Sequence, residues 1–379
     1  MDQSGLKKAL TLVAVLLATL APACMWDYDT LSMEAKGLPD VVDAIVGRFP
    51  KNPPLYYQMR LDRVTKAINA GSTDLDLYDD AAVACERLGR DDGIAWLDKK
   101  RKILDSTDPG RKKKDDWYRY FANIGTLRIH RWMRAGASAK TISEADQAIS
   151  EIEEALKINP DAHFGREWVQ LGFMRAIRAH VAGDDDERKR VLNEMASGRD
   201  RDKVLEGLVG LITLGSAWNS PDVLMAITDP HLTTWDQSIS FIAEQRVNEM
   251  LVSGAHYALG DDVAKATDWI PIDMMVGQSK ESLLAEYHAL RANAKEYQDH
   301  RTEFMMERLK AGRHPDTDPK FWDGYKETPR VNLRSFEPFI PVKWHEPEIV
   351  IPIVAVAILA LFIVGVFKLG KLIKRRRAS

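Results

Sequence analysis

Two histidine–glutamate pairs stand four residues apart in this chain, His163 with Glu167 and Glu296 with His300. On a helix that interval puts both side chains on one face, so each pair could offer two ligands to a metal. Neither has a third ligand close by. An ordinary surface pair is the plainer reading, and no metal site is expected. His130 lies in Leu127-Arg128-Ile129-His130-Arg131-Trp132 among basic neighbours, which favours a structural or surface role over a catalytic base. Asp184-Asp185-Asp186-Glu187 lacks the alternating oxygens and closing Glu of a calcium loop. Gly207, Gly210 and Gly215 lack the lysine and strand of a phosphate loop and read as packing residues. The sequence holds no dinucleotide fingerprint, nucleophile elbow, paired-Cys zinc motif or His-Glu-x-x-His. Its residue types therefore assign no catalytic residue and no cofactor.

The elements that would position such groups are helices. Period-two β-branched runs are nearly absent before residue 349, whereas helical spacing recurs. Pro53-Pro54 opens a helix over Leu55–Ala70, with Leu55, Met59, Val64 and Ile68 along one side. Leu75–Leu88 and Gly93–Leu104 follow, parted by the polar turn Gly89-Arg90-Asp91-Asp92. Trp117–Ala139 pairs with Ile142–Ile158, and longer helices are expected over Ile239–Leu259 and Leu283–Leu309. The last is a capping helix or a stalk. Helix pairs of this length cannot each close a core and must stack on their neighbours. The expected fold class is all-α.

Within this pattern Ala148 and Ala155, seven apart, precede Asn159-Pro160, and Trp168-Val169-Gln170-Leu171-Gly172 opens the next unit. These residues resemble the tetratricopeptide-repeat family, with its Trp-x-x-Leu-Gly helix start and its small residues on the second helix. The resemblance is partial and degenerate and covers about residues 53–195. It implies a solenoid of helical hairpins in which Ala148, Ala155, Pro160, Trp168, Leu171 and Gly172 serve repeat packing. It also implies a concave groove, lined by first helices, that takes a protein or peptide. Candidate groove residues are Tyr57, Arg60, Tyr118, Arg119, Asn123 and Arg128. Tyr and Arg are common interface anchors, although Tyr57 and Tyr118 suit inter-repeat packing equally.

Both ends suggest export and anchoring. Lys7 and Lys8, the apolar run Ala9–Leu20 and Ala21-Pro22-Ala23 read as a signal peptide over 1–23. Leu20-Ala21-Pro22-Ala23-Cys24 resembles a bacterial lipoprotein signal, though its bulky residue is one position early and Pro22 is atypical. Cys24 is a candidate for lipidation or, if unlipidated, for a bridge to Cys85, whose small apolar helix suits a buried free thiol. Ile349–Phe367 is uncharged for 19 residues, about 30 Å as a helix. It reads as a single transmembrane helix, with a basic cytoplasmic tail over 368–379. The parts between are an N-terminal segment (24–52), the repeats (53–195), a further helical region (196–311) and a Pro/aromatic-rich juxtamembrane segment (312–348). The chain carries a net charge of −3, and the body without its basic ends is near −10, which argues against nucleic acid as a partner.

The expectation is a membrane-anchored scaffold that binds or organises partner proteins. It would be single-pass in the bacterial cytoplasmic membrane, with its body on the periplasmic side. The alternatives are an envelope enzyme or enzyme subunit, with a site such as Glu296, His300 and a further acid in a deep cleft, or a peptide or small-ligand receptor with an enclosed aromatic pocket.

Overall fold

A computed structural model describes residues 25–30, 38–107, 114–160, 165–197, 199–233, 237–262 and 280–331. The described residues form helices, turns and loops, with no strand among them. The helices are α1 (Val41–Val46), α2 (Pro54–Asn69), α3 (Asp76–Arg87), α4 (Gly93–Ser106), α5 (Lys114–Arg134), α6 (Ile142–Ile158), α7 (Arg166–Ala182), α8 (Asp185–Ala196), α9 (Arg201–Thr213), α10 (Pro221–Thr228), α11 (Gln237–Val252) and α12 (Lys280–Lys310).

Local chemistry explains many of the boundaries. Pro54 occupies the first turn of α2, where its missing N–H costs nothing. Asp40, Asp184, Asp200 and Ser220 cap α1, α8, α9 and α10 by accepting backbone N–H groups. Helix α5 was expected to run to Ala139 but stops at Arg134, because Gly136 turns the chain at φ 94°.

From α2 to α7 each helix packs on the next, and α3 also touches α5. Small residues set the spacing. Ala148 and Ala155 are wholly buried on α6, and a Cβ built at Gly125 of α5 would lie 2.9 Å from the Ala148 carbonyl oxygen. The chain then returns on itself. Helix α1 packs against α9, α11 and α12, and α12 packs against α2. Phe321, beyond α12, is fully buried with Tyr56, Met305 and Leu309. The groove side of the early helices is thereby covered by the chain's own later parts, where an open groove had been expected.

The expected C-terminal transmembrane helix is corrected. Among the described residues no helix is long and apolar enough to cross a membrane. The longest, α12, shows why: its buried Leu283, Tyr287, Ala294, Tyr297, Met305 and Leu309 alternate with charged residues all along its length. The single-pass placement in a bacterial cytoplasmic membrane loses its support on the same finding. The run 349–367 that motivated it lies outside the described residues, as do the signal peptide 1–23, Cys24 and the tail 368–379. Cys85 is a buried free thiol, pushed up to about 12 by burial and by the neighbouring Asp92.

Candidate functional site

The groove is built from α2, α3 and α5, and the segment Met25–Thr30 lies in it. Asn123, on α5, is fully buried and faces the Trp26 backbone. The Trp26 N–H donates to Asn123 Oδ1 at 2.6 Å, and Asn123 Nδ2 donates back to the Trp26 carbonyl at 3.0 Å. One side-chain amide thus satisfies both backbone polar groups of a residue, whatever side chain that residue carries. The Trp26 ring packs edge-on to Tyr118 at 5.6 Å, with the guanidinium groups of Arg119 and Arg166 each 5.7 Å from its centre. Met25 reaches the core between α3, α4 and α5.

Arg60 of α2 is fully buried and reads the acids that follow. It reaches Asp27 at 3.0 Å and Asp29 at 2.9 Å, and it holds Asp316, 256 positions along the chain, at 2.7 and 2.8 Å. Tyr56 also bonds to Arg60 and to Asp29 and stacks on His314 at 4.5 Å. Burial alone would lower the Arg60 guanidinium, but Asp29, Asp316 and Asp27 together raise it. Burial pushes Asp27 up, with Asp29 adding to it and Arg60 opposing. Burial also works against Asp316, yet Arg60 keeps that carboxyl below its usual range. Asp80 lies under the segment and accepts the Tyr28 N–H at 2.9 Å. Burial first, and then the charge of Asp27, pushes it up to about 7 against the pull of Arg60.

A second layer supports Asn123. Its Nδ2 also donates to Asp79, which pairs with the buried Lys100 at 2.5 Å. Burial raises Asp79 against the pull of Lys100. Tyr118 donates to Glu167 at 2.6 Å. Glu86 accepts from Arg134 at 2.5 Å and lies 2.8 Å from His130 Nδ1. Burial opposes its ionisation, but these two partners hold it at about 2.

Arg60, Tyr118, Arg119 and Asn123 therefore converge on Met25–Thr30. Tyr57 packs with Leu61, Val64 and Cys85 and lines the adjoining cavity. Arg128 turns away to Glu151 at 3.0 Å. Among the packing residues, Ala148, Ala155 and Leu171 are buried, and Gly172 makes room for the Met195 side chain. Trp168 is half-buried, with Arg199 stacked 3.9 Å from its ring centre. Pro160 is exposed.

Glu167 bonds to Tyr118, and its expected metal partner His163 lies outside the described residues. His300 stacks on Tyr325 at 5.3 Å, and no group of three metal-ligating side chains occurs among the described residues. His130 is buried against Glu86.

Sequence reading passed over Lys100, Asp79, Asp316 and the segment Met25–Thr30. Lys100 did carry a signal: it falls three residues after Leu97 and four before Leu104, on the apolar stripe of α4, where a charge demands a buried partner. Nothing local marks Asp316.

Comparison of the chain with family models, with curated proteins and with solved structures finds no match.

Proposed function

We propose that this chain is a helical-repeat binding protein whose groove takes a short aromatic and acidic segment of a partner protein. The tetratricopeptide-repeat resemblance is the premise, and the double hydrogen bond of Asn123 to the Trp26 backbone carries the reading. A side chain that completes a backbone in this way recognises a peptide without regard to its sequence. Arg60 adds selectivity for two carboxylates, here those of Asp27 and Asp29. The Tyr118–Arg119–Arg166 pocket adds selectivity for a large aromatic ring. In this chain Met25–Thr30 holds the place of such a segment, so a partner must displace it.

A labelled, end-blocked peptide Met-Trp-Asp-Tyr-Asp-Thr tests this by fluorescence anisotropy. Binding should be weak to the native chain and stronger to a Trp26→Ala variant, whose own segment competes less. Adding Asn123→Ala to that variant should weaken binding about tenfold or more, the worth of two backbone hydrogen bonds. No binding by the folded Trp26→Ala protein, or binding indifferent to Asn123, would sink the reading. Thermal melting shows whether each variant is folded.

A further inference from the structure

Beside the groove lies a cavity of about 700 Å³, and Lys51 stands in its wall. Its backbone is fixed twice over. Pro50, Pro53 and Pro54 restrict the chain around it. From α12, Arg301 donates to the Lys51 carbonyl at 2.7 Å, and Gln298 donates to the carbonyls of Gly47 and Phe49. The ammonium lies 3.4 Å from the ring centre of Trp218 and 4.7 Å from that of Phe49. It has no carboxylate partner among the described residues.

The charges around it are unbalanced. Arg246, on α11, lies 4.3 Å from the same Trp218 ring, and Arg291, on α12, lies 5.6 Å from it. Glu249 serves both arginines, at 3.3 and 2.7 Å, leaving one carboxylate for three cations. The acids of the cavity wall are otherwise engaged: Asp27, Asp29 and Asp316 with Arg60, Glu86 with Arg134, and Glu327 with Arg48. The cations that line the cavity with Lys51 are Arg87 and Arg301; they bond to backbone carbonyls and to Asn52 and Ser216, with no carboxylate partner among the described residues.

We propose that Lys51 is a nucleophilic amine and that the cavity captures a small carbonyl compound bearing a carboxylate or phosphate, as an imine on Lys51. Burial first, and then the like charges of Arg246 and Arg291, lower this lysine to about 7. Its π contact with Trp218 favours the ammonium and opposes the shift. The neutral amine is then far more populated at pH 7 than in an ordinary lysine, where about one in 2,500 is neutral. The neutral amine's lone pair attacks the carbonyl carbon. The carbinolamine formed loses its oxygen as water, with the two amine protons, and the C=N bond remains. No oxidant or reductant is needed. The cations without carboxylate partners supply the attraction for the ligand's anionic group. A carbonyl site at Lys51 neither requires nor excludes a peptide in the groove.

Pyridoxal 5′-phosphate, an aldehyde with a phosphate, is the probe. The full chain is treated with it, reduced with borohydride and mapped by peptide mass spectrometry. Lys51 should label at least about tenfold faster at pH 7 than the exposed Lys140 and Lys189. Its rate should rise with a midpoint near pH 7 and fall when pyridoxal without the phosphate is used. Lys51→Arg should abolish that label and leave the other lysines unchanged. Labelling of Lys51 no faster than Lys140, or a midpoint near pH 10, would overturn the nucleophile. Equal rates with and without the phosphate would overturn the anion preference. If Lys51→Arg does not fold, the pH profile of the native chain still decides.

Discussion

Arg60 is buried among three carboxylates, and the energetic weight of that arrangement lies in what its removal leaves behind. With Arg60→Met, Asp27, Asp29 and Asp316 lose their shared counter-charge inside the protein. We expect a loss of about 3–5 kcal/mol by chemical denaturation. Arg60→Lys should recover little, since a point-like ammonium cannot satisfy three carboxylates in different directions. Titration adds a second residue-level expectation. Asp80 is raised from 3.8 to about 7, so the stability it contributes is complete below about pH 4 and is lost as pH rises through 7. Glu151, pushed up to about 7 chiefly by burial, acts in the same sense. Glu86 is lowered from 4.5 to about 2, so its contribution is present above about pH 4.5 and is lost as pH falls through 2. Denaturation between pH 5 and 7 should therefore show stability falling with pH. Asp80→Asn should flatten that fall by about 2 kcal/mol. An unchanged slope in the variant would show that Asp80 does not titrate in this range.

Two glycines distinguish how tightly adjacent helices are constrained. At Gly125 of α5 an added methyl would meet the Ala148 carbonyl oxygen and the Ile152 side chain at 2.9 Å, and backbone cannot swing aside. At Gly172 of α7 the neighbour is the flexible Met195 side chain on α8. Gly125→Ala should cost about 1–3 kcal/mol and Gly172→Ala distinctly less, read as the order of their melting temperatures. The reverse order would place the tight contact on the wrong helix pair. At this level much was legible beforehand. Helix α6 runs from Ile142 to Ile158 as its spacing predicts, because an amphipathic period and end residues are local properties. Trp168 shows what local reading leaves out: Arg199, brought over from another loop, stacks on its ring.

Across the molecule, the groove is covered by two parts of the chain far apart in sequence. Met25–Thr30 enters it, and Asp316 and Phe321, following α12, hold it shut. Phe321→Ala empties a fully buried aromatic site between α2 and α12 and should cost about 3–5 kcal/mol. It should also loosen Asp316 from Arg60, so amide exchange over residues 25–30 should rise along with that over 313–331. Faster exchange confined to 313–331 would mean that the two coverings act separately.

The helical class followed from residue type and helical period, because a helix face is set by neighbours three and four positions away, whereas the groove residues Arg60, Tyr118, Arg119 and Asn123 were proposed on the repeat resemblance. The groove's occupant did not follow. Trp26 and Asn123 are 97 positions apart, and Arg60 and Asp316 are 256 apart. No local periodicity encodes such a meeting. The reactivity proposed for Lys51 likewise depends on Trp218, Arg246 and Arg291, each from a different element. A lysine in an extended proline-rich run looks ordinary until folding removes its water and places two arginines nearby.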